Sequence, residues 1–183
     1  AQKLVLIPMT LATAFSLSIV PSVTKSFVEK KWSLYNQQLT ETFQVLLFLL
    51  IPAVMGMSVL ADSVYGSFYG FFELGSTVLS VYAPVTILFA LFSVTAAILQ
   101  GINQQRFTVL SLLTGILVKL SLNIPLIKMF ETNGAVYATG LGFLVAILIN
   151  LYIIYYFSGY KPGLVIRRSM LALLIALVMA VVV

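Results

Sequence analysis

The chain has 183 residues, of which 61% are hydrophobic and 8% charged, and its ten Lys and Arg against five acids give a net charge of +5. A soluble domain carries roughly 25% charged residues, so this composition excludes a soluble globular fold and indicates a protein whose solvent is mostly lipid. The sequence has no Cys and no His, which excludes disulfides, thiolate or imidazole metal sites, and catalytic sets built on either group.

Six apolar segments follow one another along the chain, and most approach the ~20 residues needed to cross a bilayer. They comprise residues 4–20, 42–60, 77–99, 108–127, 135–157 and 169–183. Continuous runs of this length favour helices, because transmembrane strands would show alternating segments of ~10 residues. The sequence therefore predicts an all-α polytopic membrane helix bundle with about six transmembrane helices.

The five stretches between these segments hold nearly all the charge and are predicted to be loops. They comprise residues 22–41, 61–76, 101–107, 128–134 and 158–168. The odd-numbered loops carry seven Lys and Arg, whereas the N-terminal stub and the even-numbered loops carry two. Because cytoplasmic loops are enriched in Lys and Arg, we expect the odd loops in the cytoplasm and both chain ends toward the outside. This bias accounts for the positive charge without nucleic-acid binding.

The two ends of the chain suggest a fragment. It begins at Ala1 with no charged region ahead of a cleavable signal, and it stops at Val183 inside an apolar run. We therefore expect these residues to be part of a larger membrane protein.

Catalytic chemistry is not expected. The five acids fall at predicted helix ends or in loops, so no carboxylate pair lies inside an apolar segment; they are Glu29, Glu41, Asp62, Glu73 and Glu131. Walker, G-x-S-x-G and H-E-x-x-H motifs are absent from the sequence. We predict no catalytic residue, no metal site, no cofactor and no enzyme activity.

The fourth segment contains a lysine, Lys119, in an otherwise apolar run. It lies eight residues, or ~12 Å, from the outer end at Ile127, which is farther than a lysine stem spans. Every fourth residue forms a small, polar ridge, comprising Ser111, Gly115, Lys119 and Asn123, and the opposite, lipid-compatible side comprises Leu113, Leu117, Leu120 and Ile124. The ammonium either faces a cavity that carries an anion, or pairs with a carbonyl or a carboxylate elsewhere in the parent protein and holds the bundle together.

The fifth segment carries a ridge of small residues at four-residue steps, comprising Gly134, Ala138, Gly142 and Ala146, and ending at Asn150. Such a ridge lets a neighbouring backbone approach closely, so we interpret it as helix packing. Asn150, Gln100 and, in the first segment, Thr13 could bind polar cargo, although interhelical hydrogen bonding is the commoner explanation for such residues.

The stretch VKLSLNIPLIKMFETNGAVYATGLGF (118–143) resembles a helix junction of the multidrug/oligosaccharidyl-lipid/polysaccharide exporter superfamily. AAILQGINQQR (96–106) and AFSLSIVPSVTKSF (14–27) look like cytoplasmic elbows of its polysaccharide-transport branch, the group of stage V sporulation protein B and the lipid II flippases. The resemblance covers nearly the whole chain.

This resemblance implies a fourteen-helix transporter with a fold like that of the multidrug exporters, in which residues 1–157 form helices eight to twelve of the second lobe. Residues 158–183 would form a cytoplasmic loop and the start of helix thirteen. The protein would be a multi-pass protein of the bacterial plasma membrane that flips a lipid-linked oligosaccharide or polysaccharide precursor by alternating access. Its implied partners are the lipid-linked sugar, membrane lipids and the missing N-terminal lobe.

Within this plan the candidate substrate-binding residues are Lys119, Asn123, Gln100, Asn150 and Thr13. Residues 4–20 hold no Arg or Lys, whereas lipid II flippases carry a cavity arginine on the matching helix, so other lipid-linked oligosaccharides stay open as cargo. A multidrug cation antiporter of the same fold is an alternative that would need carboxylates in mid-helix. A non-transporting membrane scaffold is another, and it would need no cavity.

Overall fold

The computed structural model describes residues 2–69, 73–160 and 165, and these form six α-helices without a β-strand. The helices are α1 (Gln2–Val28), α2 (Trp32–Val59), α3 (Ala61–Tyr69), α4 (Glu73–Gly101), α5 (Gln105–Phe130) and α6 (Thr132–Ser158). The prediction of an all-α bundle is confirmed.

Four helices in the described part of the chain are long and apolar enough to cross a membrane. The spans are Trp32–Val59, Gly75–Gly101, Gln105–Phe130 and Asn133–Ser158. They match the second to fifth predicted segments, and the 27-residue α1 covers the first. The sixth segment, residues 169–183, lies outside the described residues.

The helices are longer than their apolar segments, so the predicted loop boundaries are wrong. The stretch 61–76 contains α3 and the first turn of α4, and most of 22–41 belongs to α1 and α2. A helix makes its backbone hydrogen bonds internally, and Lys, Gln and Glu are good helix formers, so it continues past the hydrocarbon into the polar region. Three of the actual turns are short, and each contains a residue at positive φ: Lys30, Asn103 and Glu131.

Helix α4 occupies the centre of the described bundle, where it packs against α1, α2, α3, α5 and α6. The main core joins fully buried side chains of α2, such as Tyr35 and Leu50, to Val94 and Ile98 of α4 and Ile154 of α6. Lipid tails are as apolar as these side chains, so close packing rather than water exclusion holds the helices together inside the bilayer.

Helix α5 lies at the edge of the bundle and packs mainly on α6. Its ridge residues Ser111 and Gly115 are buried. The four residues predicted to face lipid are 51–67% exposed; they are Leu113, Leu117, Leu120 and Ile124. The predicted division of this helix into a packed face and a lipid face is confirmed.

The two residues that directly follow α6 bring the chain back onto α2. Gly159, at φ 66°, ends the helix in the left-handed conformation. The next residue, Tyr160, is buried, stacks on Phe43 at a ring-centroid distance of 6.2 Å, and has its hydroxyl 3.3 Å from that of Thr40. Burial raises the pKa of the Tyr160 phenol above its ordinary value, and the contact with Thr40 offsets part of that rise.

Candidate functional site

Helices α5 and α6 touch backbone to backbone at two glycines. A Cβ added to Gly115 would lie 2.6 Å from the carbonyl oxygen of Gly142, and one added to Gly142 would lie 2.7 Å from the carbonyl oxygen of Gly115. Ala138 and Ala146, one turn to either side of Gly142, are also buried, and the Ala146 Cβ lies 3.1 Å from the position of a Cβ on Gly115. The small-residue ridge of the fifth segment is thus a helix-packing surface, as predicted. We call this contact the α5–α6 seam.

Lys119 lies on α5 one turn beyond Gly115, next to the α5–α6 seam. Its Cβ is 3.1 Å from the position that a Cβ on Gly142 would take. Its half-buried side chain lines a crevice of about 110 Å³ together with Thr139 and Phe143 of α6 and apolar side chains of α5. The close approach of the two backbones therefore places a cationic side chain in the lining of a mostly apolar crevice.

The ammonium of Lys119 has no counter-charge in the described part of the chain. The ion pair that those residues do contain joins Lys31 to Glu29 at 2.7 Å, on the surface. Asn123 lies one turn beyond Lys119 on the same face, and its amide oxygen is buried without a hydrogen-bond partner among the described residues. An ammonium and an amide oxygen on the same face of α5 thus have no partner among the described residues.

A second polar cluster crosses three helices at the other end of the seam. The Ser111 hydroxyl of α5 donates to Asn150 Oδ1 of α6 at 2.6 Å, and Asn150 Nδ2 donates to the Thr95 hydroxyl of α4 at 3.1 Å. All three residues are fully buried. We call this group the polar clamp, because it ties α4, α5 and α6 together where water is absent.

Within the polar clamp, Asn150 has a structural role. Its amide oxygen and nitrogen are both engaged by neighbouring helices, which is the interhelical hydrogen bonding expected of a buried Asn in a membrane. Substrate binding by Asn150 stays a prediction.

The structure brings together only some of the predicted site residues. Lys119 and Asn123 share one face of α5. Gln100 is exposed near the C-terminal end of α4, which is predicted to be cytoplasmic, beyond Thr95 and therefore away from Lys119. Thr13 lies in α1, but its side chain is outside what the structure describes.

Sequence reasoning missed Thr95 and Thr139. Thr95 has a usable signal, because it is a hydroxyl residue within an apolar segment and such residues often donate or accept between membrane helices. Thr139 has a weaker one, since it lies beside the small-residue ridge and bonds its own helix at the Ala135 carbonyl. Only the packing of α5 on α6 shows that it borders the Lys119 crevice.

A larger groove lies at the predicted outer end of α4, α5 and α6. It encloses about 630 Å³, and its described lining residues, which include Pro84, Leu88, Leu126, Phe130 and Gly140, carry no charge. Such a surface suits lipid chains and offers a polar head group no counter-charge.

Comparison with known proteins gives a family for the chain. The family model described as lipid II flippase MurJ matches residues 1–183. The lipid II flippase MurJ of Bacillus subtilis (strain 168) is 46% identical over 98% of this chain and 34% of its own length. The probable low-salt glycan biosynthesis flippase Agl15 of Haloferax volcanii is 27% identical over 88% of this chain and 34% of its own length.

A third relative, the uncharacterized membrane protein YabM of Bacillus subtilis, is 28% identical over 82% of this chain and 28% of its own length. The chain thus spans about a third of the length of the curated relatives it matches. No solved structure matches it significantly.

Proposed function

The chain belongs to the MurJ lipid II flippase family, and from this membership we propose that it forms part of a transporter that flips a lipid-linked sugar precursor across the membrane by alternating access. Family membership and the apolar helices place it in the bacterial plasma membrane as a multi-pass protein. The observation that carries the proposal is the match along the whole chain, together with 46% identity to a flippase whose name states its cargo.

We propose lipid II as the cargo. The absence of Arg and Lys from residues 4–20 favours a cavity whose positive charge comes mainly from the rest of the parent protein, since a desolvated pyrophosphate needs fixed cations. The glycan named for the Haloferax relative keeps other lipid-linked oligosaccharides as the second candidate. The two cargoes are separable by direct assay.

The contribution of this chain to transport is proposed to be mechanical. Alternating access moves lobes or helix bundles against each other, and each moving part has to keep its own helices in register. The α5–α6 seam and the polar clamp keep these helices in register. The seam holds the backbones of α5 and α6 in contact, and the polar clamp links α4, α5 and α6 by hydrogen bonds. We propose that α4, α5 and α6 move as one body.

A cation antiporter of the same fold is disfavoured by the position of the acids. Such a protein needs membrane-embedded carboxylates to bind protons, sodium or cationic drugs. Four of the five acids lie at helix ends or in turns, and the fifth, Glu41, is exposed in the polar N-terminal part of α2, before the apolar segment that starts at residue 42. We also propose that the protein is a carrier and not a catalyst, because its family is one of flippases and the sequence offers no catalytic set.

The test is a flipping assay with the full-length parent protein in liposomes. Fluorescent lipid II, a second fluorescent lipid-linked oligosaccharide and a cationic dye are offered in parallel, and protein-free liposomes serve as the control. We expect lipid II to cross at a rate well above the control. Movement of the dye without either lipid would contradict the flippase proposal, and movement of only the second lipid would contradict the cargo.

A further inference from the structure

Lys119 lies near the middle of α5, a helix long and apolar enough to cross the membrane. Twelve residues, or ~18 Å of helix, separate it from Glu131, and an exposed leucine, Leu120, follows it directly. An ionised group at such a depth is costly unless it is paired or meets water. In the described part of the chain its ammonium has neither an ion pair nor a hydrogen bond.

No Asp or Glu of these 183 residues is placed to pair with Lys119. Residues 70–72 and 161–183 contain no Asp or Glu, and no described carboxylate lies within 4.0 Å of the Lys119 ammonium. The polar clamp places Ser111 of α5 and Thr95 of α4 at the same level. Lys119 lies eight residues, or ~12 Å, from Ser111 along α5. Glu73, the first residue of α4, lies 22 residues, or ~33 Å, from Thr95 in the same direction. Glu73 therefore lies about 20 Å beyond the crevice.

The crevice is sized for a side chain and not for the cargo. Its volume of about 110 Å³ is well below the roughly 300–1,000 Å³ of small-molecule sites, and a sugar pyrophosphate is larger than many such ligands. A carboxylate on a neighbouring helix would fit, and it could accept a hydrogen bond from the Lys119 ammonium.

We propose that Lys119 forms an intramembrane ion pair with an Asp or Glu on a helix of the parent protein outside these 183 residues, and that this pair docks the helix against the α5–α6 seam. The chain covers about a third of its relatives, so most of the parent is available to supply the acid. This inference rests on family membership and not on the identity of the cargo.

The experiment uses the full-length parent, purified in detergent, with the thermal unfolding midpoint as the first readout. Lys119→Met and Lys119→Glu each leave the partner carboxylate without its counter-charge, so both lower the midpoint by several degrees, and Lys119→Glu does so more. The matched control is Lys128→Met, which removes an exposed lysine from the last turn of the same helix and leaves the midpoint unchanged.

The partner is then found by charge exchange. Each Asp or Glu in the remaining predicted helices of the parent is changed to Lys in the Lys119→Glu background, and one exchange restores the midpoint. Should Lys119→Glu not accumulate, the same acids are changed to Leu in the Lys119→Met background, where an apolar pair also restores stability.

Two results would overturn the inference. One is a Lys119→Met midpoint equal to that of Lys128→Met, and if flipping is lost at the same time, Lys119 contacts substrate instead. The other is the failure of every exchange to restore the midpoint. A wild-type protein that flips no lipid would refute the proposed function and leave this inference standing, because the unfolding midpoint does not depend on cargo.

Discussion

At the scale of single residues, the polar clamp shows how a membrane protein uses few hydrogen bonds. Asn150 is fully buried and bonds Ser111 on one side and Thr95 on the other. Hydrogen bonds between membrane helices contribute about 0.6 kcal/mol on average and at most about 2 kcal/mol, because a polar group in the separated helices also finds partners. The clamp therefore fixes register more than it adds stability.

We expect Asn150→Leu to lower the free energy of unfolding of the parent protein by about 1–2 kcal/mol. The loss is modest because the freed hydroxyls of Ser111 and Thr95 keep hydrogen bonds to carbonyls of their own helices. Thr114→Ala is the matched control, since Thr114 is exposed on α5 and bonds only the Leu110 carbonyl. Equal midpoints for both variants in detergent would show that the clamp contributes nothing.

Tyr160 gives a pH-dependent prediction. Burial raises the pKa of its phenol above 10.0, so the folded protein holds the phenolic proton more tightly than the unfolded chain. The associated stability is present below the unfolded pKa and is lost as the pH rises through the higher folded pKa. We expect Tyr160→Phe, which keeps the stacking on Phe43, to reduce the alkaline fall of the unfolding midpoint. A fall identical to that of the wild type would show that Tyr160 titrates as an exposed tyrosine.

At the scale of helices, the α5–α6 seam depends on the absence of two side chains. The carbonyl oxygen that a Cβ on Gly115 would meet belongs to a backbone, which cannot move aside without parting the helices. Gly140, on the same helix as Gly142, faces only flexible side chains, and a Cβ there would find Val85 at 3.4 Å and Leu88 at 3.8 Å. Gly115 is therefore required for the contact between the two helices, whereas Gly140 is not.

We expect Gly115→Ala to cost about 1–3 kcal/mol through overpacking, and Gly140→Ala to be neutral or to stabilise by up to about 1 kcal/mol through helix propensity. Thermal unfolding of the two variants of the parent, measured side by side, tests this difference. A Gly115→Ala variant as stable as Gly140→Ala would mean that the seam opens without cost.

Much of the helix packing was predictable from the sequence. Four-residue spacing identified the packed face of α5 and the small ridge of α6, because side chains that share a helix face recur at that interval. The helix lengths and α3 were not predictable, since hydropathy marks where lipid ends and not where the backbone stops being helical. The hydrogen bond between Asn150 and Thr95 was not predictable either, because it depends on the register in which α4 packs on α6.

The site was less predictable than the fold. Lys119 stands out in the sequence because it is a charge among apolar residues, yet only the packing shows that its crevice is narrow and is shared with Thr139. The proposed ion-pair partner of Lys119 lies outside these residues, so neither spacing nor composition within the chain identifies it. The substrate-binding roles assigned to Gln100, Asn150 and Thr13 likewise stay predictions.

At the scale of the whole molecule, this chain spans about a third of the length of its curated relatives and is part of one lobe in the proposed architecture. Its described helices form a bundle tied by the seam and the clamp, and its charge is concentrated at the turns rather than in a cavity. In this proposal the rest of the parent recognises most of the cargo, while residues 1–183 form a body that moves as a unit and docks a neighbouring helix through Lys119.

The most direct test of this account is exchange of the chain into its relative. In Bacillus subtilis MurJ, the third that aligns with this chain is replaced by residues 1–183, and the purified chimera is assayed in liposomes with fluorescent lipid II beside the unmodified protein. We predict that the chimera flips lipid II. A chimera that inserts, unfolds at a midpoint close to that of the unmodified protein, and moves no lipid II would contradict the claim that these residues are an interchangeable part of a lipid II flippase.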